Sequence, residues 1–215
     1  MIASDNPGPN APLSDECKNS TQPLANAFAS VNSWMAAGMP ASQITLGVPA
    51  YGYLQKSWAS QLRQRDYIPP SADQVANMTS TLDKRQSGLV TVRNGGGGDN
   101  NGQIGFADLV KQGALAKDSS GAFIGAGGFY REWDACSSTV SLQYHKAILD
   151  SDCQPWIRSA YTGQVVTYDD PYSLSLKAQF ARQSGLRGCN MFSMDGDWTG
   201  SSWPLVDALR SGMGI

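Results

Sequence analysis

The fold class of this chain follows from one apolar run, ITLGVPA at residues 44–50. The run is short, β-branched at its start and closed by Pro49, which is typical of a buried strand. Apolar residues recur every three or four positions from Leu24 to Met35, so this segment predicts a helix that Gly38 ends. A helix, a short loop and a buried strand form half of a parallel α/β unit.

The same order of elements returns at the end of the chain. Asp170 and Pro171 suit the cap and the first turn of a helix, which we expect to end at Gly185. The next run, GCNMFSM at residues 188–194, predicts a second buried strand, and residues 203–210 predict a last helix. Both ends of the sequence therefore predict an α/β fold.

The middle of the sequence, residues 54–167, is irregular. Short strands are expected at residues 122–130 and 165–168, and a short helix at residues 103–110. Residues 95–102 are rich in glycine and predict a solvated loop, because the Lys-Ser/Thr pair and the helix of a phosphate-binding loop are missing. We interpret the segment as an α+β insert.

Composition argues against several classes of protein. Of the 215 residues, 41% are hydrophobic, which is enough to build a core and argues against a disordered chain. The 16 Lys and Arg residues are balanced by 18 Asp and Glu residues and are not clustered, so no nucleic-acid partner is expected. No apolar run approaches the ~20 residues of a membrane span, and residues 1–7 lack the basic and apolar parts of a signal peptide.

Cysteine and histidine usage argues against a metal site. The four cysteines form no CxxC pair, and His145, the single histidine, fits a surface helix, so we expect no metal and no other cofactor. Cys136 and Cys153 flank a compact segment and suit a disulfide. Cys189 is expected to be a buried thiol, and Cys17 has no evident partner.

Two glycosylation sequons, at Asn19 and Asn77, favour a secreted protein. A low content of charge with many Ser, Thr, Gly and Asn residues favours the same origin. Because short sequons also arise by chance, an intracellular origin stays open at this point.

Several blocks of the sequence resemble family-18 glycoside hydrolases, the chitinases and chitinase-like proteins built on a TIM barrel. The last barrel unit of that family is similar to YDDPYSL at residues 168–174 and FSMDGD at residues 192–197. Its seventh strand and the following turn are similar to LGVPAYGY at residues 46–53, and its insertion domain to residues 103–115 and 130–136. The blocks keep the family's order, cover nearly the whole chain and are most similar to fungal members.

The resemblance implies a partial TIM (β/α)8 barrel with an inserted α+β domain. Residues 1–53 would hold a barrel helix and the seventh strand, residues 54–167 the insertion domain, and residues 168–215 the last helix–strand–helix segment. A whole barrel takes about 250 residues. Without the insert this chain has room for about three βα units of roughly 30 residues each, so we expect the C-terminal portion of a barrel.

The family's catalytic signature, Asp-x-x-Asp-x-Asp-x-Glu, is absent from the sequence. In the family that Glu protonates the leaving oxygen, while the substrate's own N-acetyl group attacks the anomeric carbon. Asp195 and Asp197 have no Glu at the required spacing, and residues 1–4 lack the sixth-strand Met-x-Tyr-Asp motif. We therefore assign no catalytic residue and predict that this chain alone does not hydrolyse chitin.

Five residues are candidates for sugar binding on the strength of the resemblance. Phe192 stands where the family carries a Trp that floors the cleavage subsite, and Tyr51 matches a tyrosine of the cleft. Tyr53 replaces an Arg of many members, and Trp133 and Asp134 match the part of the insertion domain that contacts the sugar. Pyranose rings stack on exposed aromatic faces, whereas core packing is the alternative for each aromatic residue.

Other polar residues in the matched blocks have structural roles as the first interpretation. We expect Asp169, Asp170 and Lys177 to be helix-cap and surface residues. Asp195 and Asp197 end the last predicted strand, where a role in the site and a role in a turn are both open.

Three functions remain open on the sequence alone. The chain is the C-terminal portion of an extracellular chitinase, a non-catalytic module that binds chitin or chitooligosaccharides, or an incomplete chain without a function. The second predicts affinity without turnover. The third predicts poor folding and self-association, because open sheet edges and exposed apolar faces invite pairing with another copy.

Overall fold

A computed structural model describes residues 2–3, 7–15, 18, 23–59, 62, 88–94, 102–134, 154–159 and 161–215. Several predictions lie outside the described residues. They are the disulfide between Cys136 and Cys153, the sequons at Asn19 and Asn77, the positions of Cys17 and His145, and residues 95–101 of the predicted glycine-rich loop.

The described part of the chain mixes strands and helices along its whole length. The strands are β1 (Ile2–Ala3), β2 (Thr45–Pro49), β3 (Tyr51–Lys56), β4 (Gln103–Gly105), β5 (Leu115–Lys117), β6 (Phe123–Gly125), β7 (Tyr130–Asp134), β8 (Gln154–Ser159), β9 (Gln164–Thr167) and β10 (Gly188–Phe192). The α-helices are α1 (Ala27–Ala36), α2 (Phe106–Lys111), α3 (Pro171–Gln183) and α4 (Pro204–Met213). Short 3-10 helices cover Ala41–Gln43 and Met194–Gly196.

Two sheets position the rest of the molecule. Strands β2 and β10 form a parallel pair, in register from Thr45 opposite Gly188 to Pro49 opposite Phe192. A mixed sheet of six strands has the order β1-β3-β9-β8-β7, with β4 also paired to β3, and β5 with β6 forms a separate antiparallel pair. Because only Ala50 separates β2 from β3, the chain passes from one sheet directly into the other.

The two strands predicted at residues 44–50 and 188–194 are confirmed as strands, but the predicted burial of the second is wrong, because β10 contains no buried residue. Strand β3 was not predicted. The sequence placed the irregular insert from residue 54 onward, whereas β3 continues to Lys56 and lies between β1 and β9. Gly52 allows this close packing, since a Cβ there would lie 2.7 Å from the Cβ of Tyr168 and would collide with the carbonyl oxygen of Thr167. Close approach of a neighbouring backbone is one of the reasons for glycine inside a strand.

Two predictions within the middle segment are corrected in detail. The helix predicted at residues 103–110 begins only at Phe106, because residues 103–105 pair with residues 51–53 as β4. The strand predicted at residues 122–130 is divided into β6 and β7. The division occurs at Gly127 and Gly128, whose φ angles of 58° and 86° turn the chain in a way that other residues rarely adopt.

Helix α1 begins later than predicted and buries less of its apolar face. Asn26 caps the helix by accepting a hydrogen bond from the backbone N–H of Ala29 at 2.8 Å, so the helix begins at Ala27 rather than at Leu24. Val31 is buried, but Leu24 is 72% exposed, and Phe28 and Met35 are also exposed. Among the described residues, only a narrow side of α1 is covered by other parts of the chain. The regular spacing of apolar residues therefore predicted a wider buried face than the structure has.

The start of α3 confirms the predicted cap at Asp170, but the predicted location of two nearby residues is corrected. The Asp170 carboxylate accepts the Ser173 N–H at 2.9 Å, and the Ser173 hydroxyl accepts the Asp170 N–H at 3.0 Å, which together form a capping box. The predicted surface location of Asp169 and Lys177 is wrong. Both are buried, with Lys177 Nζ 2.6 Å and 2.7 Å from the two carboxylate oxygens of Asp169, because each charge neutralises the other inside the fold.

The main core lies between these sheets and helices. Helices α3 and α4 pack closely, since a Cβ at Gly212 would lie 2.7 Å from the Cβ of Ala178. Leu174 and Leu205 are fully buried at this contact, and Tyr168 is fully buried where β9 leads into α3. In the part of the chain that the structure describes, no helix is both long enough and apolar enough to cross a membrane.

Removing one partner of the buried ion pair should destabilise the protein strongly. Lys177→Met leaves the Asp169 carboxylate without its counter-charge, so we expect the free energy of unfolding to fall by about 3–5 kcal/mol in urea denaturation. The double variant Asp169→Leu/Lys177→Met should recover much of this loss, because no unpaired charge remains. The exposed Lys111 supplies the control, and a Lys177→Met loss no larger than that of Lys111→Met would contradict the prediction.

Candidate functional site

Three of the five predicted sugar-binding residues meet at one place. Tyr51 begins β3, Tyr53 follows on the same side of that strand, and Phe192 ends β10. The ring centroids of Tyr51 and Tyr53 are 5.9 Å apart, and those of Tyr51 and Phe192 are 6.4 Å apart. Both pairs are edge-to-face, with ring planes at 88°, which is a favourable arrangement for aromatic quadrupoles. We call these three residues the aromatic cluster.

The aromatic cluster offers both apolar and polar atoms to solvent. Phe192 is 67% exposed, and Tyr51 and Tyr53 are half-buried. Partial burial, with a smaller contribution from neighbouring Tyr53, raises the pKa of Tyr51 above its ordinary value of 10.0. The Tyr51 hydroxyl therefore remains a hydrogen-bond donor at neutral pH.

Backbone contacts fix the base of the aromatic cluster. The Ala50 N–H donates to the Phe192 carbonyl oxygen at 2.9 Å, and the Phe106 N–H donates to the Ala50 carbonyl oxygen at 3.0 Å. The Asn10 side-chain amide donates to the Tyr51 carbonyl oxygen at 2.9 Å. These contacts join both sheets at Ala50, so the rings of the cluster are carried by a rigid backbone.

Asp134 shares a sheet face with Tyr53 but lies far from it. The strand registers place Tyr53 in one row with Thr167, Trp156 and Glu132, and Asp134 is two positions beyond Glu132 on the same face of β7. Three strand spacings, about 14 Å in total, separate β7 from β3. Asp134 is also 93% buried, so the structure does not bring it to the aromatic cluster.

Trp133 points to the opposite sheet face from Asp134. Its ring lies 5.4 Å from that of Tyr172, and the Arg131 guanidinium lies 3.9 Å above it. Arg131 in turn binds the Asp170 carboxylate at 2.6 Å. Trp133 is therefore part of a stack that joins β7 to the start of α3, and it lies apart from the aromatic cluster.

The two carboxylates after β10 have different surroundings. Asp197 is fully buried and accepts the backbone N–H groups of Leu205 and Val206, each at 2.9 Å, so it holds the first turn of α4. Of the two roles that the sequence left open for Asp197, the structure therefore favours the role in a turn over a role in the candidate site. Asp195 is exposed and accepts a hydrogen bond from the Ser193 hydroxyl.

One pair of exposed aromatic residues close to these carboxylates was not predicted from the sequence. Trp198 and Trp203 have ring centroids 4.8 Å apart and are 44% and 37% exposed. The signal was present in the sequence as two tryptophans that flank a short Thr-Gly-Ser-Ser turn.

Cys189, predicted to be a buried thiol, is half-buried among core residues, and burial raises its pKa.

A comparison with protein families decides the relationship of this chain. The family model described as glycosyl hydrolases family 18 matches residues 2–197. The chain belongs to glycosyl hydrolase family 18.

Curated relatives of this family-18 chain come from two fungal species. A chitinase-like effector of Moniliophthora roreri is 30% identical over 217 residues, which cover 97% of this chain and 46% of the relative. A chitinase-like effector of Moniliophthora perniciosa is 26% identical over 221 residues, which cover 99% of this chain and 43% of the relative. The chain thus spans somewhat less than half the length of the curated relatives it matches.

Solved family-18 structures share the fold. The structure of YKL-39 with chitooligosaccharides matches 98% of this chain and 46% of that protein with a TM-score of 0.62 and 20% identity. The chitinase RmChi1 of Rhizomucor miehei matches 97% of this chain and 49% of that protein with a TM-score of 0.60 and 23% identity. Human YKL-39 is also described as a pseudo-chitinase with retained chitooligosaccharide binding.

The family-18 chain thus presents aromatic rings and hydroxyl groups in its candidate site. The described residues contain no group of three or more His, Cys, Asp or Glu side chains placed to hold a metal ion. The arrangement suits the binding of a neutral, ring-shaped ligand with apolar faces and hydroxyl edges.

Two carboxylates should give opposite trends of stability with pH. Burial raises the pKa of Asp197 above 3.8, so its contribution to stability is complete below that value and is lost as the pH rises through the folded pKa. Relative to Asp197→Asn, the parent should therefore lose thermal stability as the pH rises from below 3.8 through the raised pKa of the folded protein.

Asp118 provides the matched control. Its carboxylate accepts hydrogen bonds from Ser120 and Ala122, which lower its pKa, so its contribution is lost as the pH falls. Relative to Asp118→Asn, the parent should gain thermal stability as the pH rises. Unfolding midpoints of the three proteins measure both trends, and the same trend for both variants would contradict the assignment.

Proposed function

We propose that this chain binds chitin or oligomers of N-acetylglucosamine at the aromatic cluster. The observation that carries the proposal is the exposed edge-to-face arrangement of Tyr51, Tyr53 and Phe192 where β2 and β10 end. Sugar rings present apolar C–H faces to aromatic rings and hydroxyl groups to donors such as Tyr51. The retained binding of chitooligosaccharides by a pseudo-chitinase of the same fold supports the proposal.

The proposal includes a partial (β/α)8 barrel as the setting of the site. Support comes from the parallel register of β2 and β10 and from the helices α3 and α4 that flank β10 in sequence. The proposed divisions are residues 1–53 and 168–215 for the barrel portion and residues 54–167 for the inserted domain. Strand β3 crosses the first division, so the aromatic cluster would lie where the two parts meet.

The proposal also holds that the chain alone binds without hydrolysis. The sequence contains no Asp-x-x-Asp-x-Asp-x-Glu run to provide the general acid, a group that usually contributes roughly 10²- to 10⁴-fold to the rate. Any activity would then require residues that these 215 do not supply. The fungal chitinase-like relatives support extracellular action, together with the two sequons.

Self-association through an open sheet edge is the second candidate. The Ile44 carbonyl oxygen accepts the Arg187 N–H, and the Ala50 N–H donates to the Phe192 carbonyl oxygen. The backbone N–H and C=O groups of the even-numbered residues of β2 therefore point toward β10. The backbone groups of Thr45 and Gly47 therefore face the opposite edge, where no described strand is paired. A monomeric mass in sedimentation over a wide range of concentrations would contradict this candidate.

Binding should be measurable on the purified chain. Chitotetraose is expected to raise the thermal unfolding midpoint, because a ligand of the native state stabilises it by mass action. Tyr51→Ala and Phe192→Ala should each weaken binding about tenfold, which corresponds to about 1.4 kcal/mol. Tyr130, an exposed tyrosine on β7, provides the matched control, and Tyr130→Ala should bind as the parent does.

Thermal unfolding and turnover measurements on the same purified chain distinguish this proposal from the other functions considered. A cooperative transition that ignores chitotetraose would contradict the binding proposal, and the absence of any cooperative transition would favour an incomplete chain. Turnover of a fluorogenic chitobiose substrate above a protein-free blank would contradict the non-hydrolytic part of the proposal alone.

A further inference from the structure

Two tryptophans outside the aromatic cluster form an exposed surface of their own. Trp198 and Trp203 lie 4.8 Å apart between ring centroids, with ring planes tilted by 39°. They remain 44% and 37% exposed. A large apolar ring exposed to this extent loses the free energy that burial would give it, and a contiguous pair is therefore a candidate for ligand contact.

Hydrogen bonds tie together the loop that carries this tryptophan pair. The buried Asp197 carboxylate anchors one end by binding the N–H groups of Leu205 and Val206. Inside the loop, the Thr199 N–H and hydroxyl both donate to the Ser202 carbonyl oxygen, at 3.2 Å and 3.1 Å. A preformed surface binds with a smaller loss of conformational entropy than a flexible one.

The loop is continuous with the aromatic cluster. Phe192 is followed by Ser193 and the 3-10 helix Met194–Gly196, and Trp198 comes two residues later. The 3-10 helix packs on the base of the cluster, because a Cβ at Gly196 would lie 2.5 Å from the Ala50 carbonyl oxygen. The tryptophan pair and Phe192 thus leave the same end of β10.

The chemistry around the tryptophan pair favours a neutral ligand. Between Arg187 and Arg210 the exposed charges are those of Asp195 and Asp207, so an anionic partner such as a phosphorylated or nucleic-acid ligand would meet no Lys, Arg or His within this segment. Hydroxyl groups of Thr199, Ser201 and Ser202 lie between the two tryptophans in sequence. Indole faces beside hydroxyl groups match a sugar, which has apolar faces and polar edges.

We propose that Trp198 and Trp203 form a second stacking surface for the saccharide that binds the aromatic cluster. The inference rests on the proposed function and extends it, because it makes affinity depend on oligomer length. A short oligomer occupies the aromatic cluster only, whereas a longer oligomer also contacts the tryptophan pair.

The test compares chitobiose with chitohexaose in calorimetric titrations of the full chain. Trp198→Ala and Trp203→Ala should each weaken chitohexaose binding about tenfold and leave chitobiose binding within about twofold of the parent. Trp34, a 57% exposed tryptophan on α1, supplies the matched control, and Trp34→Ala should change neither affinity.

The outcomes separate the two proposals. Unchanged chitohexaose affinity in both tryptophan variants, together with a loss in Phe192→Ala, would overturn the second surface and leave the aromatic cluster intact. No binding of either oligomer by the parent would overturn the proposed function itself.

A second measurement on the unmodified chain covers the case in which a variant does not fold. Nuclear magnetic resonance of the indole N–H groups should show shifts of Trp198 and Trp203 with chitohexaose and little change with chitobiose. The Trp34 indole should not move with either oligomer. Equal shifts of Trp198 with both oligomers would overturn the dependence on length.

Discussion

The parallel pairing of β2 with β10 is the contact on which the rest of the structure depends. It joins segments from opposite ends of the sequence in a register that sets Pro49 beside Phe192. From that point β2 continues through Ala50 into Tyr51, and β10 continues into the loop of the two tryptophans. A shift of one residue in this register would turn the side chain of Phe192 to the other face and separate it from Tyr51.

Around this strand pair, buried polar residues stabilise the helices, whereas exposed aromatic residues are the candidates for ligand contact. Buried polar groups stabilise both helices: the Asp169–Lys177 ion pair joins the residue before the cap of α3 to its second turn, and the Asp197 carboxylate holds the first turn of α4. Phe192 and the two tryptophans that follow β10 are exposed instead, and Tyr51 and Tyr53 are half-buried. Stability and candidate ligand contact are therefore carried by different residues, so variants of the exposed rings are suited to binding experiments.

Local patterns predicted the parts of the fold that depend on near neighbours in sequence. The strands at residues 44–50 and 188–194 and the capped start of α3 at Asp170 were predicted because period, turn residues and caps act over a few positions. The burial of Lys177 depends on the tertiary packing around α3, and the contact of Trp133 with Tyr172 joins residues far apart in sequence, so no local pattern reports either. Of the candidate site, the sequence located Tyr51, Tyr53 and Phe192 but not their mutual contact.

The edge of β2 that faces away from β10, where no strand of the described residues is paired, lacks a backbone donor at one position. Pro49 is odd-numbered, like Thr45 and Gly47, so its position on the strand faces away from β10, and proline has no N–H to offer there. Backbone donors on this edge thus come only from the first part of the strand. A further strand added along β2 could accept backbone N–H groups from Thr45 and Gly47 but not from Pro49, whose carbonyl oxygen alone could bond to it. Pairing along this edge would therefore be weakest at the end that carries the aromatic cluster.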